Sequence, residues 1–162
     1  EWLGKDDGQA RWQAGMAARL LDFGGGPASS TDPSGLASLR LVHVSPDTER
    51  DALAPGAEGP VPAGWIFEHV AGASVAVEAK EGELLAVALR LKYPGVAREF
   101  VWRASESALE DGSIRIRVPY STDQPNGEGR ALGPLRWAVG GRAGELTIPE
   151  RAVRAGEALS VH

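Results

Sequence analysis

Cysteine is absent from all 162 residues, which excludes disulfides, thiolate metal sites and cysteine nucleophiles while leaving the redox compartment open. No apolar run approaches the ~20 residues needed to span a bilayer. The longest, Leu84 to Leu91, is interrupted by Arg90, is followed by Lys92 and reads as a strand. A positive balance is also missing. The formal net charge is -5 and the pI about 5.2, with Arg and Lys scattered among carboxylates, so the clustered positive field required for non-specific nucleic-acid binding is not there. The opening Glu1-Trp2-Leu3, soon followed by Lys5-Asp6-Asp7, lacks signal-peptide character, and a start without Met leads us to expect a fragment of a longer protein. Histidine is scarce, with three in the chain, one of them His162.

What is present is globular. Apolar residues make up 43% and charged residues 24%, enough for one compact domain, or one domain with a small appendage. Trp12, Met16, Leu20 and Phe23 fall at four-, four- and three-residue spacing on one helical face. Asp6 or Asp7 can cap that helix, and Gly24-Gly25-Gly26 ends it. Its stripe is expected to be packing surface, with Leu20 and Phe23 buried and the Trp2 to Trp12 end exposed or covered by a neighbour. The predicted organisation is an N-terminal amphipathic helix over residues 1–26, a Pro/Ser/Gly-rich linker over 27–38, and a β-domain over 39–162.

The β-domain is predicted from period-two patterns. Leu39, Leu41 and His43 alternate with Arg40, Val42 and Val44, and Pro46 to Pro62 reads as a long loop. Further strands are predicted at about Trp65–Val70, Ser74–Ala79, Leu84–Lys92, Glu99–Ala104, Ser113–Val118, Arg136–Val139, Glu145–Ile148 and Ala158–Val161, with Gly and Pro turns between them. With no helices between strands, a largely antiparallel β-sandwich or small barrel is expected. Trp65, Phe67, Trp102, Ile116 and Trp137 are expected in its core.

The chemistry-bearing residues form no strong pattern. His43 and His69 sit inside strands, where half-buried, hydrogen-bonded histidines are commoner than metal ligands. Asp123, Asn126 and Glu128 could offer oxygens to Ca²⁺, but too few in register, so a solvated turn is the better reading; Glu106, Glu110 and Asp111 read the same way. No nucleophile elbow, Walker pattern or Rossmann fingerprint occurs, and no carboxylate pair suggests a glycosidase. No residue is assigned as catalytic, cofactor-binding or metal-binding.

Several segments in order resemble the C-terminal extracytoplasmic region of AglB-type single-subunit oligosaccharyltransferases. Ala10 to Gly25 is similar to the family helix that ends in Met-x-x-Arg-Leu before a glycine turn. Leu39-Arg40-Leu41-Val42 resembles its Tyr-Arg-Leu-Val strand, and Phe67-Glu68-His69-Val70-Ala71-Gly72-Ala73 its Phe-Glu-x-Val-x-Gly-Ala segment. Asp111-Gly112 and then Val118-Pro119-Tyr120-Ser121-Thr122 resemble its Asp-Gly and Val-Pro-Tyr-Ser-Thr element, and Gly133-Pro134 stands where the family has Gly-Pro-Tyr. Trp65 replaces a usual small residue and Leu135 the tyrosine.

The resemblance implies the distal soluble tail of an integral membrane enzyme that moves a lipid-linked oligosaccharide onto Asn of Asn-x-Ser/Thr, on the extracytoplasmic face. The family's Trp-Trp-Asp-x-Gly signature is missing, and Asp7, Ala10 and Ala14 do not complete its neighbouring helix motif. Its divalent metal, Mn or Mg, would be bound upstream, so no cofactor is expected in this fragment. The implied partners are the catalytic core and transmembrane region of the parent chain, with acceptor protein or glycan as further candidates. The fragment alone should be inactive. The second reading is a carbohydrate- or protein-binding β-sandwich of another surface protein, similar to transthyretin-like or carboxypeptidase-regulatory-like modules.

Overall fold

A computed structural model describes residues 38–45, 47–48, 61–62, 64–96 and 99–161. The expected N-terminal helix with Trp2 and Trp12, and all of the expected linker except Ser38, lie outside these residues.

The domain is mainly β and sandwich-like. Its strands are β1 (Leu39–Val44), β2 (Asp47–Thr48), β3 (Val61–Pro62), β4 (Trp65–His69), β5 (Ala73–Glu78), β6 (Leu84–Lys92), β7 (Phe100–Ser107), β8 (Ser113–Val118), β9 (Arg130–Ala131), β10 (Leu135–Val139), β11 (Arg142–Leu146) and β12 (Ala158–Val161), with one helix, α1 (Glu150–Ala155), before the last strand. The larger sheet has the order β11-β10-β6-β7, with β9 also paired to β6; the smaller is β12-β5-β8. β1 and β4 form a separate two-stranded ribbon, and among the described residues β2 pairs only with β3. Neither larger sheet closes into a barrel among the described residues.

Alternation decides which side chains go inside. In β8, Ile114, Ile116 and Val118 are buried while Arg115 and Arg117 are in water; in β6, Leu85, Val87, Leu89 and Leu91 point inward. These residues, with Val75 and Val77 of β5, Trp102 of β7 and Leu135, Trp137 and Val139 of β10, form one continuous core. Of the five residues expected inside, Trp102, Ile116 and Trp137 are buried. Trp65 and Phe67 are only half-buried against that core, because they stand on a two-stranded ribbon rather than between two full sheets.

Several elements depart from the expected pattern. β11 begins at Arg142, three residues earlier than predicted, directly after the Gly140-Gly141 turn. Its Arg-Ala-Gly-Glu stretch shows no apolar alternation, and Gly144 lies opposite Trp137, where an added Cβ would come within 2.8 Å of the indole. α1 was not anticipated from strand periodicity, although Pro149 at the N-cap, Glu150 in the first turn, Arg154 in the last and Gly156 in the left-handed C-cap conformation (φ 71°) are ordinary helix punctuation. α1 leads the chain from β11 in the larger sheet to β12 in the smaller one, where β12 runs parallel to β5, the exception to the expected antiparallel pairing. Finally, the two ends of the Pro46 to Pro62 loop are zipped together, Asp47 opposite Pro62 and Thr48 opposite Val61.

Candidate functional site

The ribbon β1–β4 meets the sandwich along a polar seam. A β-bulge between Leu41 and His43 leaves Val42 without a cross-strand partner, and its carbonyl accepts a hydrogen bond from the Glu128 amide at 2.8 Å. No neighbouring strand covers this edge of β1 among the described residues; side chains do so instead. The Tyr93 hydroxyl donates to the Leu41 carbonyl at 2.6 Å, and the Leu41 amide donates to the Tyr120 hydroxyl at 3.1 Å. Both rings are buried, Tyr93 edge-on to Phe100 and Tyr120 edge-on to Trp102. Burial pushes both phenols well above their ordinary range, so they stay neutral hydrogen-bonding groups.

Arg40 is the centre of the seam. It is 1% exposed, a charged residue inside a strand of otherwise mostly apolar residues. Its guanidinium donates to Glu68 Oε2 at 2.6 Å, directly across the ribbon, and to Glu150 Oε2 on α1 at 2.7 Å. A longer 3.4 Å bond reaches Asn126 Oδ1. Arg154 completes the group, 2.8 Å from Glu150 and 3.5 Å from Glu68. Two guanidiniums thus face two carboxylates. Burial of an unpaired Arg would cost several kcal/mol, which is why the carboxylates accompany it.

Asn126, expected in a solvated turn, is fully buried. Its Oδ1 accepts the Ser121 amide at 2.8 Å and its Nδ2 donates to the Ser121 carbonyl at 2.9 Å, so one side chain closes the 121–129 loop. Gly127 (φ 67°) lies against Val42, and a Cβ on Gly129 would overlap the Tyr93 ring. We expect Gly129→Ala to lower stability by about 1–3 kcal/mol, the range for inserting a carbon into a packed site; a shift of the urea midpoint checks it. We expect Tyr120→Phe to cost about 1–3 kcal/mol, since it strands the buried Leu41 amide without changing ring volume; the same titration reads it out.

The other candidates do not converge. Asp123 accepts from the Ser121 hydroxyl at 3.2 Å and caps α1 through the Glu150 amide at 2.9 Å, while Glu128 turns to His43 Nδ1 at 2.7 Å. His43 faces Ile66 and His69 faces Leu39, four positions apart along the ribbon, about 13 Å at ~3.3 Å per residue. His43 is half-buried and His69 exposed. Asp111 caps its own turn through the Ser113 amide and hydroxyl. Among the described residues, no three His, Asp or Glu side chains gather as a metal-ligating group.

The seam predicts an acid limit to stability. The hydrogen bond from Arg40 holds the Glu68 carboxyl below its ordinary value, with smaller help from the charges of Arg40 and Arg154. A depressed folded pKa contributes stability that is present above the ordinary carboxylate value and disappears as pH falls through the folded one. At the alkaline end the two buried phenols act oppositely. Their stability is intact below about pH 10, where unfolded tyrosine ionises, and declines above it. Thermal midpoints across pH should therefore show a plateau falling at both ends, and Glu68→Gln should flatten the acid side.

These features define a class of protein: a sandwich-like β-module whose polar side chains are spent largely on joining its own elements. The same fold occurs in solved structures of the oligosaccharyltransferase of Archaeoglobus fulgidus. One, with Zn and sulfate, superimposes with a TM-score of 0.74 at 16% identity over 93% of this chain and 24% of that one. A second, tethered to an acceptor peptide containing an NVT sequon, gives 0.74 at 18% identity over 93% and 23%. A third, with an inhibitory peptide and a dolichol-phosphate, gives 0.73 at 18% identity over 93% and 22%. This chain therefore spans about a quarter of the length of those proteins. No curated protein matches the sequence significantly. The model of the archaeal glycosylation protein B (AglB) long peripheral domain matches residues 72–159, just over half of the chain. The chain belongs to that family.

Proposed function

We propose that this chain is the accessory peripheral part of a membrane-bound oligosaccharyltransferase, which transfers a lipid-linked oligosaccharide to the Asn of Asn-x-Ser/Thr sequons. The observation that carries this reading is the peripheral-domain match across residues 72–159. The shared fold over 93% of the chain supports it. The β-domain of residues 39–162 sits on the extracytoplasmic side and packs against the catalytic core. In this reading residues 1–26 belong to the edge of that core, and 27–38 link the two. No described helix is long and apolar enough to cross a membrane, so in this reading the membrane anchor belongs to other parts of the enzyme. The Archaeoglobus enzyme is seen with an acceptor peptide and with a dolichol-phosphate; in this reading acceptor peptide and lipid-linked glycan bind to the whole enzyme. The divalent metal is held outside this domain.

The test compares three preparations with a lipid-linked oligosaccharide and a sequon peptide. Membranes carrying the full-length gene product should form glycopeptide, and the purified 162-residue chain should form none. The full-length protein lacking residues 39–162 should lose stability or activity. Glycopeptide from the isolated chain, or none from the full-length protein, overturns the proposal.

A further inference from the structure

The four charges in the seam can be divided without leaving any of them alone. Arg40 and Glu68 both belong to the ribbon and stand directly opposite each other, 2.6 Å apart. Glu150 and Arg154 both belong to α1, one helical turn apart, and are 2.8 Å from each other. Within this group the bonds that cross the seam are Arg40 to Glu150 and to Asn126, and Arg154 to Glu68; an exposed contact at its edge joins His43 to Glu128. If the ribbon lifts away, those bonds are lost, yet a neutral ion pair remains on each side. The usual penalty for parting a buried ion pair, an uncompensated charge in low dielectric, does not arise.

The remaining ties point the same way. Among the described residues the ribbon shares no ladder with either larger sheet, and its main-chain links to the 120–129 region and to Tyr93 are the Leu41 and Val42 bonds described above. The Arg40 Nε is buried without a hydrogen-bond partner among the described residues, and opening would hydrate it. Against opening stand the burial of Leu41 and Val44, the two tyrosine bonds, the Glu128 amide bond to the Val42 carbonyl and the His43–Glu128 contact. A two-stranded ribbon has marginal stability of its own and therefore depends on these contacts.

We propose that the β1–β4 ribbon is a separately opening unit, latched to the sandwich by a charge-balanced seam whose four ionised side chains re-pair as Arg40–Glu68 and Glu150–Arg154 when it lifts. Opening bares the buried hydroxyls of Tyr93 and Tyr120 and the Leu41 side chain while the sandwich core stays closed. Sub-global opening of this kind lies at a free energy below that of complete unfolding.

Native-state hydrogen exchange on the complete chain tests the latch. Amides of β1, β4 and residues 121–129 should exchange through a common opening at least tenfold more frequent than that seen in β5, β6 and β8. Glu150→Gln removes the cross-seam ion pair while leaving Arg40–Glu68 on the ribbon. It should speed exchange in the ribbon and in 121–129 by about a further tenfold and leave β5, β6 and β8 unchanged. Exchange of the ribbon only together with β5 and β8, or an equal acceleration of all of them in Glu150→Gln, overturns the proposal.

Discussion

Trp102→Ala is expected to remove about 3–5 kcal/mol of stability, the cost of emptying a fully buried tryptophan site. The indole is 1% exposed, faces the sandwich interior from β7, and lies edge-on to Tyr120 with ring centroids 5.9 Å apart. Neighbouring strands are tied into ladders on which Leu89 and Ala104 already pack, so the backbone cannot close over the void. Because Tyr120 loses its ring partner, the Leu41 amide bond is weakened as well. Trp65→Ala is the comparison. Trp65 is half-buried on the ribbon, so its loss should cost well under half as much. Urea denaturation with the slope held constant distinguishes the two; equal losses would mean that the ribbon is as tightly packed as the sandwich.

The second large effect is electrostatic. Arg40→Ala is expected to cost about 3 kcal/mol, at the lower end of the range for breaking a buried ion pair, because Arg154 remains near both stranded carboxylates. Arg90→Ala should cost under about 1 kcal/mol, as exposed pairs do. The two pairs have similar geometry, 2.6 Å for Arg40–Glu68 and 2.7 Å for Arg90–Glu99. Burial separates them, 1% exposure for the Arg40 side chain against 56% for Arg90, and so does the second carboxylate, Glu150, that Arg40 also holds. Arg40→Met should recover part of the loss by refilling the volume without restoring the charge. Equal midpoints for Arg40→Ala and Arg90→Ala would show that the seam is solvated in solution.

The legible parts of this protein were those governed by near neighbours in sequence. Ser113–Val118 alternates so cleanly that its inward and outward faces are unambiguous, and Leu84–Lys92 matches its predicted boundaries. The seam was legible only in fragments. Val118-Pro119-Tyr120-Ser121-Thr122 carries a family resemblance, but nothing in it says that Tyr120 reaches Leu41, 79 residues away. Arg40 reads only as one position in the alternation of β1, and only the positions of Glu68 and Glu150, 28 and 110 residues distant, make its burial tolerable. Asn126 reads as a turn residue because short-range propensity rewards that reading; its complete burial follows from closing its own loop beneath β1.

By itself, the sequence determined the β class, most strand positions and the core made by alternation, because a side-chain period of two is a local property of the chain. It also excluded thiol chemistry and a helical membrane span within these residues. Tertiary structure alone decided how strands group into sheets, the parallel placement of β12 on β5, and the seam that joins the ribbon to α1 and the 121–129 loop. Those features rest on pairings between residues far apart in the chain, and the energy of a buried charge depends on what meets it in space rather than on its neighbours in sequence.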